Sequence, residues 1–156
     1  PLDLLPKSQL NLEEWKRVYS NAKETRPDAT TWFWNKWDPE GYSIWRADYR
    51  YPEELKKIFM SCNLVTGLFA RMELLRRYCF ASVCIFGEDD KNEISGVFVF
   101  RGKEIPELMK EVPDFESYTW TRMDVTDAAQ RELFEDYLAW EGKFEGRKFA
   151  DGKIFK

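Results

Sequence analysis

Apolar and polar positions alternate along this chain with two different periods. Residues 80–86 and 94–100 are apolar or small at nearly every position, the pattern of strands covered on both faces. Between them Gly87-Glu88-Asp89-Asp90-Lys91-Asn92-Glu93 reads as a polar loop, so the pair predicts a β-hairpin. Ahead of it Leu64, Val65, Leu68, Phe69, Met72 and Leu75 share one helical face, which predicts a helix opening at Asn63 and running to about Arg77. An earlier helix starts at Asn11, whose side chain can cap the backbone, with Glu14 at the third helical position and Leu10 placed to pack on Trp15. Asp28 is read as the cap of a short helix carrying Trp32, Phe33 and Trp37, ended by Pro39 and Gly41.

Residues 42–50 alternate, with Trp45, Ala47 and Tyr49 on one side and Arg46, Asp48 and Arg50 on the other. This predicts a half-exposed strand, nearer an edge than the hairpin strands, with Trp45 and Tyr49 pointing inward. Pro52 suits the first turn of a helix carrying Glu53 and Glu54 at its positive end and Lys56 and Lys57 toward its negative end. Pro106 and Pro113 punctuate a surface connection, and residues 116–123 predict another alternating strand. Asp124 or Thr126 caps a last helix with Leu133, Phe134, Tyr137 and Leu138 on its inner face, closed by Gly142. Helices before and after a strand-rich, hairpin-linked middle predict an α+β fold, a central antiparallel β-sheet flanked by α-helices.

The length of 156 residues suits a single domain spanning 1–156, one that buries about 68–70% of its unfolded surface without a disulfide or metal staple. No apolar run reaches the roughly 18 residues of a membrane helix, and Asp3, Lys7 and Gln9 interrupt any secretory leader at the start. The chain begins at Pro1 rather than a methionine, which fits a domain of a longer protein.

Chemistry is sparse. The sequence has no histidine, which removes the commonest general base, the Ser-His and Cys-His nucleophile pairs and every histidine-containing zinc site. Cys62, Cys79 and Cys84 form no C-x-x-C pair and lie in apolar segments, so they read as buried, reduced thiols; Cys79, after Arg76 and Arg77, is the strongest candidate for reactivity. No phosphate-binding glycine loop is present. The run Glu88-Asp89-Asp90 lacks the spacing of a calcium loop and reads as a solvated hairpin tip. The net charge of −4 disfavours phosphate backbones overall; Arg71, Arg76 and Arg77 are the one local basic cluster, and a solvated helix face is the favoured reading of it. No catalytic residue, cofactor or metal is expected.

Residues 32–51 hold eight aromatics, Trp32, Phe33, Trp34, Trp37, Tyr42, Trp45, Tyr49 and Tyr51, more than one inner face of a short helix and a strand accommodates. With Trp45 and Tyr49 inward, a share of the belt falls to the surface as Trp34 and Tyr51 beside Arg46 and Arg50, residue types that dominate protein contacts. Arg101 at the end of a hairpin strand and Trp140 and Glu141 at the end of the last helix complete the candidate interaction surface.

Several stretches carry more than periodicity. PEEL at 52–55, FMSCNL at 59–64, FASVCIFG at 80–87, ISGVFVFRG at 94–102, ESYTW at 116–120, WEG at 140–142 and the terminal GKIFK resemble, in order, the C-terminal domain of the gamma subunit of eukaryotic translation elongation factor 1. Residues 102–114 match that pattern poorly. The resemblance implies a compact α+β domain, cytoplasmic and non-catalytic, that helps organise and anchor the complex recharging the tRNA-delivering GTPase. It implies that other subunits of the elongation factor 1 complex are the partners, engaged mainly through a glutathione-transferase-like domain and lysine-rich linker that these residues do not contain. Any transferase activity would belong to that other domain. Contact with other cytosolic proteins is a further possibility. An RNA- or membrane-surface-binding module, using Arg71, Arg76, Arg77 and the aromatic belt, is the alternative.

Overall fold

The computed structural model of the chain describes residues 2–156. Its sheet has five strands, β1 (Tyr42–Tyr49), β2 (Cys79–Glu88), β3 (Lys91–Arg101), β4 (Tyr118–Arg122) and β5 (Phe149–Phe155), all antiparallel in the order β4-β1-β3-β2-β5. The helices are α1 (Leu12–Asn21), α2 (Thr30–Lys36), α3 (Ile58–Arg71), the single turn α4 (Glu107–Lys110) and α5 (Ala128–Ala139). The expected α+β class holds, with helices on both sheet faces.

The near-continuous apolar runs of β2 and β3 follow from that placement. On one face Val65, Leu68, Met72 and Leu75 cover Ala81, Val83, Ile85, Phe98 and Phe100. On the other, Trp15, Phe33, Phe134 and Leu138 cover Phe80, Phe86, Val97 and Val99. Strand alternation sends odd and even residues to opposite layers, so a strand buried twice has no polar side to show.

Local signals set several element ends. The Asn11 carboxamide accepts the Glu14 N–H at 3.0 Å, as its position predicts. Other ends differ from the expectation. The helix expected to open at Asn63 begins at Ile58, because the Asp89 carboxylate, at the hairpin tip, accepts the Ile58 N–H at 2.9 Å. Its α-helical part stops at Arg71, and a 3-10 segment, Glu73–Tyr78, carries Leu75 into the core. Pro52 starts only a 3-10 turn ending at Glu54. Asp28 caps no helix; it lies inside a wide turn, Thr25–Ala29, and accepts the Glu24 N–H. Asp127, not Asp124 or Thr126, caps α5 by accepting the Gln130 N–H at 3.1 Å. That helix ends in the left-handed residue Trp140, before Gly142 is reached.

The hairpin loop is also tighter than its polarity suggests. Gly87 pairs with Asn92 and Glu88 with Lys91, leaving Asp89 and Asp90 as the turn. Buried Asn92 explains the gain: its amide donates to the carbonyls of Lys56 and Glu88, and its oxygen accepts from the Ser61 hydroxyl. Strand β1 lies between β3 and β4, one position in from an edge; Tyr42 and Ile44 pack into one core layer and Ala47 into the other, while Trp45, Arg46, Asp48 and Tyr49 are half-exposed as expected. The other edge strand, β5, takes in most of the terminal GKIFK, a stretch without the alternation of a strand.

Candidate interaction surface

The seven candidate residues fall in separate places. Arg101 faces Tyr42 at the start of β1, whereas Arg50 and Tyr51 follow its far end. A strand of that length, at about 3.3 Å per residue, sets the two sites roughly 25 Å apart. Among the described residues Arg101 pairs with no carboxylate: it donates to the carbonyls of Gly41 at 2.6 Å and Pro6 at 2.5 Å and lies over the Tyr42 ring, tying the N-terminal segment to the sheet. Trp34 is half-buried between α2 and α5, its indole N–H donating to Glu135 at 2.8 Å and its ring covered by the Arg131 guanidinium at 4.0 Å. Trp140 is 36% exposed, stacks on Phe149 and donates to the Ser82 hydroxyl at 3.0 Å. Glu141 beside it is exposed, and its carbonyl accepts from Arg26. Arg50 and Tyr51 form an adjacent exposed pair at the end of the belt, with Tyr51 edge-on to Tyr49 and Arg50 donating to the Glu116 carbonyl.

The belt as a whole is mostly packing. Phe33 and Tyr42 are buried; Trp32, Trp34, Trp37, Trp45 and Tyr49 are half-buried against the two core layers. Trp45 and Tyr49 do point to the α3 layer. The expected surplus of rings disappears because β1 sends rings to both core layers and α2 contacts α5 as well as the sheet face.

Arg46, on the other face of β1, is half-buried in a polar circuit that no local pattern announced. It lies 3.0 Å from Asp48 and 2.9 Å from Glu145. Asp48 accepts from the Ser95 hydroxyl at 2.6 Å, so the Tyr137 hydroxyl, 2.6 Å from Ser95, must donate to it. Tyr137 in turn accepts from Arg147 at 2.6 Å, and Arg147 closes the circuit on Glu145 at 3.5 Å and also holds Glu93 at 3.0 Å. Burial pushes the Tyr137 hydroxyl above its ordinary value, against the opposing pull of Arg147 and Ser95. These groups come from β1, β3, α5 and residues 145–147, and the sequence pattern shows only the alternation of Arg46 and Asp48. Arg147 also lines an open cleft of about 530 Å³ between the hairpin and Pro52.

The basic cluster is largely neutralised. Arg71 grips Asp114 with two bonds of 2.6 and 2.7 Å, Arg76 pairs with Glu73 at 2.7 Å, and Arg77 lies 3.7 Å from Asp3. At the acidic tip Asp89 is spent on the α3 cap and Asp90 faces Lys57 at 3.2 Å. Among the described residues no group of three or more acidic, cysteine or histidine side chains is placed to hold a metal, and no helix is long and apolar enough to cross a membrane.

All three thiols are buried, including Cys79. Burial, helped by the neighbouring Asp151 carboxylate, pushes Cys62 up to about 11, and burial pushes Cys84 up to about 12 and Cys79 further up. The folded chain is therefore expected to react slowly with a thiol reagent and to release three equivalents in denaturant; fast labelling of Cys62 or Cys84 in the native state would contradict the placement. The sign of the linkage is fixed: unfolded thiols ionise near 9.0 while the folded ones keep their protons, so stability should fall as pH rises above that value.

Comparison with known proteins extends the likeness over the whole chain. A family model described as "Elongation factor 1 gamma, conserved domain" matches residues 1–104. Elongation factor 1-gamma is 45% identical to this chain in Artemia salina, 48% in Carassius auratus and 46% in Homo sapiens. Each alignment covers 100% of this chain but 36% of the relative, so the chain spans little more than a third of those proteins.

Proposed function

The chain belongs to the elongation factor 1-gamma family, and from that premise we propose that residues 1–156 form one domain with a role in translation elongation, as a non-catalytic scaffold acting through protein contacts. In this reading the domain helps anchor the cytoplasmic nucleotide-exchange complex, while the other subunits bind mainly through parts of the longer protein outside these residues. The observation that carries it is the contrast between withdrawn chemistry and exposed contact groups: the thiols are buried, whereas Arg50 and Tyr51 stand together at the surface. Aromatic and arginine side chains are the residue types on which protein interfaces concentrate their energy. RNA or anionic-lipid binding has less support, since Arg71 and Arg76 already hold carboxylates.

Two measurements test the proposal. Adding the purified chain to the elongation GTPase loaded with labelled GDP is expected to leave the release rate unchanged; a clear acceleration would overturn the non-catalytic reading. Replacing Arg50 and Tyr51 together with alanine is expected to leave the fold intact and to weaken the capture of a complex subunit by the 156-residue chain alone by about 2 kcal/mol or more. A folded double variant with full capture would remove this corner from the account.

A further inference from the structure

We propose that Arg46 and Arg147 form a carboxylate-binding clamp, occupied in the free domain by Glu145 and open to an acidic side chain of a protein partner. One oxygen of Glu145 meets both guanidinium groups, at 2.9 Å from Arg46 and 3.5 Å from Arg147. The clamp does not depend on that carboxylate for its shape. Arg46 is held by Asp48, and Arg147 by the Phe144 carbonyl, Glu93 and Tyr137, with its guanidinium 4.1 Å over the Phe86 ring. The arginine side chains are only 23% and 16% exposed, whereas that of Glu145 is 52% exposed, so the carboxylate approaches from the solvent side. Glu145 also sits on unfavourable backbone, with φ at 58° between Phe144 at 48° and Gly146 at 85°. Left-handed conformation is costly for residues other than glycine, so the Glu145 side chain is held in place against backbone strain, while buried Phe144 anchors the segment.

Of the clamp residues Arg147 alone also lines the neighbouring cleft, which has room for an entering segment whose charges must suit its wall. Glu53, Glu88, Asp90 and Glu93 line it alongside Lys91 and Lys148. Such a wall, more acidic than basic, repels a run of phosphates or an anionic lipid surface and favours a carboxylate flanked by basic residues. A preorganised site already filled by an internal ligand binds an external one more weakly by the fraction of time it stands open.

This inference rests on the reading of the domain as a contact module, yet its test is separate from subunit capture through Arg50 and Tyr51. The probes are a short peptide with a single glutamate flanked by lysine and glycine, its glutamine counterpart, and inorganic phosphate. Binding is read from the arginine Nε–H resonances by NMR in the 156-residue chain. Glu145→Gly, which removes the carboxylate and suits the left-handed backbone, should bind the glutamate peptide about tenfold or more tightly than the unaltered chain. The glutamine peptide should not bind, and Arg46→Gln added to Glu145→Gly should abolish the gain. Equal affinity in Glu145→Gly, equal binding of the glutamine peptide, or a preference for phosphate would overturn the proposal. If Arg46→Gln unfolds the chain, the Arg46 and Arg147 resonances in Glu145→Gly alone decide: no shift with the glutamate peptide overturns it.

Discussion

Trp15→Ala is expected to lower the unfolding free energy by about 3–5 kcal/mol, the range for truncating a buried large aromatic. Trp15 is fully buried and joins three elements. Its ring meets Phe33 of α2 edge-on at 4.8 Å and Phe80 of β2 at 5.4 Å, while Trp32 stacks at 6.1 Å. Deleting it leaves a hole that α1 cannot fill without leaving the sheet. The indole N–H has no hydrogen-bond partner among the described residues, a defect worth about 1–3 kcal/mol for a buried donor. Trp15→Phe removes the unpartnered donor together with part of the volume, so its loss should be much the smaller of the two. Urea unfolding of both variants checks this; an alanine variant no less stable than the phenylalanine one would show that the ring is not the hub.

Asp136→Ala is expected to cost about 2–4 kcal/mol, because it strands two backbone N–H groups at about 1–3 kcal/mol each and leaves the half-buried Arg26 without its partner. Asp136 is 2% exposed, and its carboxylate accepts from Arg26 at 3.0 Å and from the N–H groups of Lys143 at 3.1 Å and Phe144 at 3.3 Å. An acid near a helix C-terminus sits at the unfavourable end of the helix dipole, so these donors account for its place there. Gly142 completes the socket: at φ 143°, a Cβ would lie 2.1 Å from the Asp136 oxygen. Gly142→Ala should therefore destabilise far more than Gly146→Ala, where a Cβ meets nothing within 4 Å and only the positive φ of 85° is penalised. The double variant Asp136→Ala, Gly142→Ala should lose less than the two single losses combined, because the carboxylate that a Cβ strikes is gone. Strict additivity in thermal or urea unfolding would show that the two residues do not share one socket.

Composition and periodicity by themselves determined the α+β class, the doubly covered hairpin, the inner face of α3, the Asn11 cap and the burial of the three cysteines. Each is a property of residues near one another in the chain: a strand with no polar side needs two covers, and a cap needs an acceptor three residues before the donor. The tertiary structure decided what depends on distant residues. Helix α3 gains its first turn because Asp89, 31 positions onward, supplies the acceptor for Ile58. Strand β5 looks unlike a strand, with Asp151, Gly152 and Lys153 at its centre, yet Gly152 is required where the Trp140 ring presses within 2.5 Å of a would-be Cβ. The aromatic belt is too rich for one inner face, and the fold divides it between the two core layers on either side of β1. The Arg46, Ser95, Tyr137 and Arg147 circuit is assembled by strand register and the path of residues 140–147, so no window of sequence contains it.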